Sequence, residues 1–287
     1  MVDLHTHSSY SDGTFSPLQL IQAAAQIGLS AIALTDHDTT GGLDEFIRYG
    51  KEMQVPTVPG VEISVDSKLP GNGHIHILGL FINHRSRELN EKLAFLVKHR
   101  SERARKMVDA LNSLGIPVTL SELMAEVGEG SIGRPHVARV LMKHRVVNSV
   151  QEAFDRFLSK GKPAYIEKVK LSEAETIQLI HSAEGLAILA HPHYMNFATF
   201  ADTRKKILQL KEMGLDGVEA FYPEMPAEFH TALIELAHEA DLVISGGTDF
   251  HGTVKPDIQL GYGKHRKFNV PDTIYRNLLE RKQTLTA

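Results

Sequence analysis

The chain has 287 residues, 42% of them hydrophobic and 23% charged, with a net charge of −4; this is an ordinary globular composition, long enough for one large domain or two smaller ones. The acidic balance argues against a surface given over to nucleic acid, though not against a local basic pocket. Cysteine is absent, which excludes disulfides and thiolate sites and leaves any metal to His, Asp and Glu.

The first stretch, Asp3-Leu4-His5-Thr6-His7, reads as a strand with both imidazoles on one face. Asp12 follows on a turn. No basic and apolar leader precedes it, and no apolar run reaches the ~18 residues of a membrane span, so a cytoplasmic home is expected. Ser16-Pro17 opens a helix that Gly28 closes, with Leu20, Ala24 and Ile27 on its apolar stripe. Ala31 to Leu34 is a short apolar strand ending in Thr35-Asp36-His37-Asp38. A second helix, from about Gly42 to Met53, leads to an apolar strand that passes through Glu62, and a further strand from Gly73 to Leu80 carries His74 and His76.

From about Ser86 to Gly161 the periodicity turns helical, through Leu89, Leu93, Leu96 and Val97, then Met107, Leu111 and Leu114. Residues 86–161 are therefore expected to form an inserted helical cap, with 1–85 and 162–287 as the surrounding barrel. The cap concentrates basic residues, among them Arg100, Arg103, Arg134 and His136.

After the insertion strands and helices alternate again. Leu186 to Ala190 ends in His191-Pro192-His193, Gly217 to Phe221 follows, and Leu242 to Ser245 ends in Gly247-Thr248-Asp249-Phe250-His251 before a last helix from Pro271. This rhythm predicts an α/β fold, a distorted seven-stranded (β/α)7-like barrel of parallel strands or its eight-stranded relative. Barrel sites lie at the C-terminal strand ends. His5, His7, Asp12, His37, Glu62, His76, His191, Asp249 and His251 fall at or near such ends and should converge on one rim. Nine His and carboxylate side chains are too many for one tetrahedral zinc, and the mixed N/O set suits Zn, Mn or Fe.

On these residues the chain resembles the PHP (polymerase and histidinol phosphatase) family, and within it the small capped nucleotide phosphoesterases. The matching stretches are Asp3 to His7, Ser11 to Thr14, Leu34 to Asp38, Gly60 to Ile63, His76 to Gly79, Ala190 to His193 and Gly247 to His251. The resemblance implies three adjoining metal sites: His5, His7, Glu62 and Asp249 at the first, Glu62 with His76 and His191 at the second, and Asp12, His37 and His251 at the third. It further implies two or three divalent ions and a small phosphorylated nucleotide or short oligonucleotide as substrate: a nucleoside 3′,5′-bisphosphate, an AMP-like nucleotide or an RNA 5′ end.

Adjacent divalent ions suit phosphate ester hydrolysis by a deprotonated water, with no protein nucleophile. His193 and Asp36, beside ligand positions, are candidates for moving a proton to the leaving group or for orienting His191 and His37. Arg134 and His136 at a helix start, with Arg103 or Arg100, form a candidate clamp for a second phosphate. The Arg100 to Lys106 run reads equally as a solvated helix face. Tyr165, Tyr194, Phe197 and Tyr222 are candidates for base stacking or for plain packing. No membrane or long duplex partner is expected. The competing readings are a histidinol-phosphate-type phosphatase, a barrel amidohydrolase, and a metal-stabilised scaffold without activity.

Overall fold

A computed structural model describes every residue except 72, 128–131, 267 and 287. In chain order it runs β1 (Val2–Asp3), α1 (Pro17–Ile27), β2 (Ala31–Leu34), α2 (Leu43–Glu52), β3 (Thr57–Asp66) and β4 (Ile75–Leu80). Then come α3 (Arg87–Ser113), α4 (Leu120–Val127), α5 (Arg134–Lys143) and α6 (Val150–Ala153), followed by a π-helical turn over Phe154–Leu158. The chain returns through β5 (Leu171–Ser172), α7 (Glu173–Ser182), β6 (Leu186–Leu189), α8 (Phe200–Glu212), β7 (Gly217–Phe221), α9 (Ala227–Glu239) and β8 (Val243–Gly246). It closes with β9 (Ile258–Gln259), β10 (Gly263–Lys264) and α10 (Asp272–Thr286).

Local chemistry sets the element ends. At α1 the Ser16 hydroxyl accepts from the Gln19 backbone N–H while the Gln19 side chain accepts from the Ser16 N–H, Pro17 fills the first helical position, and Gly28 ends the helix at φ 72°. Ser172 and Glu175 make the same reciprocal cap on α7. β2 and β6 are buried at every position, as strands covered on both faces must be.

The main sheet runs in the order β1-β2-β3-β4-β6-β7-β8, with β5 added beside β3. It curls so that its ends meet: the backbone N–H of Leu4 donates to Gly246 and that of His7 to Phe250, at 3.1 and 2.9 Å. One strand departs from the all-parallel expectation. β4 is antiparallel to both β3 and β6, with Glu62 opposite Leu78 and Leu78 opposite Ile188. The described residues of the link from Asp66 to Ile75 form no helix, and the link is too short for a parallel crossover. His76 therefore reaches the rim from the start of its strand, where the other strands present their ends.

Alternating side chains of the strands divide between two cores. Leu186 and Ile188 of β6 face inward with Leu4, Ala33 and Leu80 and are plugged by Ile274 and Leu278 of α10. Ala187 and Leu189 face outward with the apolar stripes of the surrounding helices. The long helix α3 belongs to both halves of the molecule. Leu89, Leu93 and Leu96 pack into the outer core of the barrel, whereas Ala104, Met107, Val108 and Leu111 join a separate cluster built only from residues between Ala104 and Ile166. The independently packed helical unit thus starts about two-thirds of the way along α3, later than the boundary at residue 86 expected from periodicity. Among the described residues, no helix is long and apolar enough to cross a membrane.

Candidate metal centre

The segment Leu4 to His7 prolongs β1 between the ends of β2 and β8, held by Thr35 N–H to Thr6 O at 2.9 Å and by the His7 bond to Phe250. Its extended backbone sends Thr6 outward, with its hydroxyl on the Ala33 carbonyl, and His5 and His7 inward. Both histidines are fully buried. His5 Nε2 lies 3.4 Å from Glu62 Oε2 and 3.4 Å from Asp249 Oδ1, and His7 Nε2 lies 3.1 and 3.2 Å from the same atoms. These four residues present ligand atoms within 4.8 Å of one another.

Glu62 joins this group to a second. Its Oε1 is 2.7 Å from His76 Nδ1 and 3.1 Å from His191 Nε2, and its Oε2 is 3.1 Å from His37 Nδ1. A third group forms around Asp12, 3.2 Å from His251 Nε2 and 3.8 Å from His37 Nε2, with His7 close by. The Nδ1 atom of His251 bonds the Asp249 carbonyl at 2.8 Å, which leaves Nε2 for a ligand. All nine residues singled out in the sequence are brought together, and a cavity of about 220 Å³ opens onto six of them besides Asp249. His74, Tyr194 and Lys255 complete its wall. A larger groove between α3 and α7, with Glu88, Glu91 and Glu175 on it, gathers no such set.

The donor set fits divalent cations. His5 Nε2, His7 Nε2, His37 Nδ1 and His191 Nδ1 are buried without a hydrogen bond, and three of them face carboxylate oxygens at 3.1 to 3.4 Å. A lone-pair nitrogen beside a carboxylate oxygen repels it unless a cation or proton is shared between them. Burial alone would raise the Glu62, Asp249 and Asp12 carboxyls. Instead the positive field around them, led by His37 at Glu62, Lys255 at Asp249 and His251 at Asp12, holds each well below the usual carboxylate range. Conversely, the carboxylates outweigh burial at His7 and raise it to about 10. Imidazole nitrogen with carboxylate oxygen is the ligand chemistry of Zn, Mn and Fe.

The two residues expected to handle a proton sit elsewhere. Asp36 is buried beneath the loop after β1, where it accepts from Ser8 N–H at 2.8 Å, Ser8 Oγ at 2.6 Å and Ser11 Oγ at 2.5 Å. It ties the loop that carries Asp12 and does not line the cavity. His193 packs between Tyr194 and Tyr222, at ring centroid distances of 4.1 and 5.0 Å, with neither nitrogen hydrogen bonded. Burial pushes it down to about 4, which disfavours the imidazolium form near neutral pH. The spacing His-x-His puts two rings on one face only along an extended strand. Here His191 is left-handed at φ 30° and a 3₁₀ turn covers Pro192–Met195, so His193 points away from the centre.

Of the cap residues, His136 feels the charge of Asp12 and Arg100 reaches the neighbour of His37. Arg100, 8% exposed, ion-pairs with the fully buried Asp38, which Lys168 also contacts at 2.7 Å. Arg103 donates to the Ile166 carbonyl at 2.6 Å and Arg134 to that of Leu158 at 3.2 Å, and Arg134 lies over the rings of Phe154 and Tyr165. His136 accepts from the Gly133 N–H at Nδ1, 2.9 Å away. Burial first, then the charge of Arg139, pushes it down to about 4.

Four further residues contribute, of which Glu219 and Lys255 escaped sequence reading, whereas His74 was noted only as a strand histidine and Tyr222 only as a stacking or packing candidate. Glu219 on β7, fully buried, accepts from His5 Nδ1 at 2.9 Å and from the His191 N–H at 2.7 Å. Tyr222 donates to Asp249 Oδ2 at 2.9 Å, and Lys255 donates to the same oxygen at 2.5 Å. His74 presents a ring nitrogen close to those of His76 and His191. The one available signal was Glu219 itself, a carboxylate in the middle of a strand that is otherwise apolar.

Residues 3–213 match the PHP domain. A 5′-3′ exoribonuclease of Haemophilus influenzae is 36% identical over 249 residues, covering 87% of this chain and 89% of that protein. A 3′,5′-nucleoside bisphosphate phosphatase of Chromobacterium violaceum is 32% identical, covering 87% of each chain. The crystal structure of a metal-dependent phosphoesterase from Bifidobacterium adolescentis superposes with a TM-score of 0.84 at 29% identity, covering 98% of this chain and 96% of that one. The chain belongs to the PHP family, and it is a metal-dependent phosphoesterase, a hydrolase of phosphate ester bonds.

Proposed function

We propose that this enzyme removes a phosphate or a 5′ nucleotide from small nucleotides carrying two phosphates, a nucleoside 3′,5′-bisphosphate or the 5′ end of a short RNA, in the cytoplasm. Two or three divalent ions, Mn, Zn or Fe, would be held by His5, His7, Glu62 and Asp249, by Glu62 with His76 and His191, and by Asp12, His37 and His251. When bound, such ions supply a nucleophilic water at neutral pH and offset charge on the phosphate oxygens. Glu62, with one oxygen beside His7 and the other beside His76, would be shared between the first two.

The observation that carries the substrate reading is a pair of cap arginines. Arg103 and Arg134 lie close enough for their charges to interact, and burial with that repulsion pushes Arg103 down to about 10. Among the described residues neither makes an ion pair with a carboxylate; each is held by a backbone carbonyl. Two part-buried guanidinium groups without counter-charge suit a phosphate, which they grip by forked hydrogen bonds. Arg100 is committed to Asp38, so in this reading it latches the cap to the barrel. A phosphatase for a single phosphate would have no use for the arginine pair. The two relatives named for nucleotide and RNA substrates agree with this reading.

The test is hydrolysis of adenosine 3′,5′-bisphosphate with Mn²⁺, beside AMP, a 5′-phosphorylated trinucleotide and a His191→Ala control, read as both free phosphate and released nucleotide. Turnover of the bisphosphate or trinucleotide well above AMP, lost in the control, is expected. Equal turnover of all three, or of none, would refute the two-phosphate reading.

A further inference from the structure

We infer that Glu219 is a positioning residue that couples the first two metal clusters, by fixing which nitrogen of His5 faces the metal and by holding the backbone of His191. The inference rests on the reading that His5 and His191 hold metals.

Glu219 lies at the centre of β7 with no exposed surface. One oxygen is 2.9 Å from His5 Nδ1 and the other is 2.7 Å from the His191 N–H. An ionised carboxylate only accepts, so His5 carries its proton on Nδ1. That leaves Nε2 as the lone pair, and Nε2 is the atom that faces Glu62 and Asp249 at 3.4 Å, with no hydrogen bond of its own. At the other oxygen the bond anchors a residue with φ 30°, a conformation costly for a side chain with a Cβ. His191 Nε2 meets Glu62 at 3.1 Å only while that backbone is held. A single buried carboxylate thus orients one ligand in each of two groups that already share Glu62.

The geometry makes glutamine a sharp probe, because it has the same shape but cannot serve both partners. If its amide oxygen faces the His191 N–H, its NH₂ faces His5 Nδ1, which must then accept, and the proton moves to Nε2 where the metal belongs. If the amide is turned over, two donors face each other at His191. One ligand is misplaced either way, and loss of such a partner lowers metal affinity by roughly tenfold to a hundredfold.

The experiment is a Zn²⁺ competition titration of the full chain against a chromophoric chelator, wild type beside Glu219→Gln, with bound metal counted by elemental analysis. A tenfold or greater fall in affinity with the metal-free fold intact by circular dichroism is expected. Unchanged affinity and stoichiometry would overturn the inference. Should Glu219→Gln fail to fold, ¹⁵N NMR of histidine-labelled, Zn²⁺-loaded wild type decides: His5 should show a protonated Nδ1 and a metal-bound Nε2, and the reverse assignment overturns the role. A wild-type chain that binds no metal would overturn the metal-centre reading, a result distinct from both.

Discussion

Arg100, on the helix shared by barrel and cap, ion-pairs with Asp38, the neighbour in sequence of His37. Asp38 is fully buried and takes a left-handed φ of 54°. Burial alone would raise its carboxyl, but Lys168 and Arg100 hold it well below the usual range. Breaking such a pair by removing one partner strands a buried charge. Arg100→Met should therefore cost roughly 2 to 4 kcal/mol, somewhat below the usual loss because Lys168 remains. Adding Asp38→Asn should return part of that loss. Urea denaturation of the two single variants and the double variant checks this; strictly additive losses would mean that the pair is not coupled.

Arg134 tests the arginine pair separately from the centre. Its guanidinium rests on Phe154 and Tyr165 and on the Leu158 carbonyl, so truncation leaves the His and carboxylate clusters untouched. A charge-assisted bond to phosphate contributes about 1.5 to 3 kcal/mol. Arg134→Ala should raise KM for the bisphosphate by roughly 10- to 100-fold with kcat within a few-fold. AMP kinetics should hardly move. An equal loss on both substrates would show that Arg134 does not read the second phosphate.

The convergence of the nine His and carboxylate side chains was legible in the sequence because strand ends in a barrel share one rim, and chemistry placed there adds up across distant segments. The reversal of β4 was not read, although the short link from Asp66 to Ile75 carried the information. His193 was singled out because it adjoins His191, but the left-handed turn at His191 carries its ring onto Tyr194 and Tyr222. Asp36 looked poised for proton transfer because it adjoins His37, yet adjacent residues on a strand face opposite ways. Its three hydrogen bonds to Ser8 and Ser11 depend on a loop conformation that no spacing rule encodes. Glu219 contacts His5 and His191, and Lys255 contacts Asp249, and such partners become visible only when the strands are set side by side.

Metal removal should be felt by the fold. Glu62 and Glu219 are nearly or wholly buried and Asp249 is 6% exposed, so without cations Glu62 and Glu219 lean on imidazoles for counter-charge and Asp249 on Lys255 and imidazoles. A ligand that binds only the folded chain stabilises it by about 4 kcal/mol at a thousandfold excess over Kd. For a chain of this size that corresponds to roughly 8 to 15 °C in Tm. Chelation should lower Tm by that order, and added Mn²⁺ or Zn²⁺ should restore it. A Tm that stays put after elemental analysis confirms metal loss would show that the clusters are satisfied without ions.

His136 gives the cap a pH dependence whose sign follows from its hydrogen bond. Nδ1 accepts from the Gly133 N–H and so must be unprotonated, and burial pushes the ring down to about 4, against about 6.5 in an unfolded chain. Between those values the unfolded chain binds a proton that the folded one refuses, so stability rises with pH across the window and is lost as pH falls from about 7 towards 4. Below 4 both forms are protonated and the loss is complete. Gln at this position can reach back to the same N–H as a capping partner without titrating. Wild type should therefore lose roughly 2 to 3 kcal/mol relative to His136→Gln between pH 7 and pH 4, with the other histidines cancelling in the difference. Urea titrations of both proteins across that range measure it. A gap independent of pH would mean that His136 titrates as it does in water and that its bond to Gly133 does not hold the start of α5.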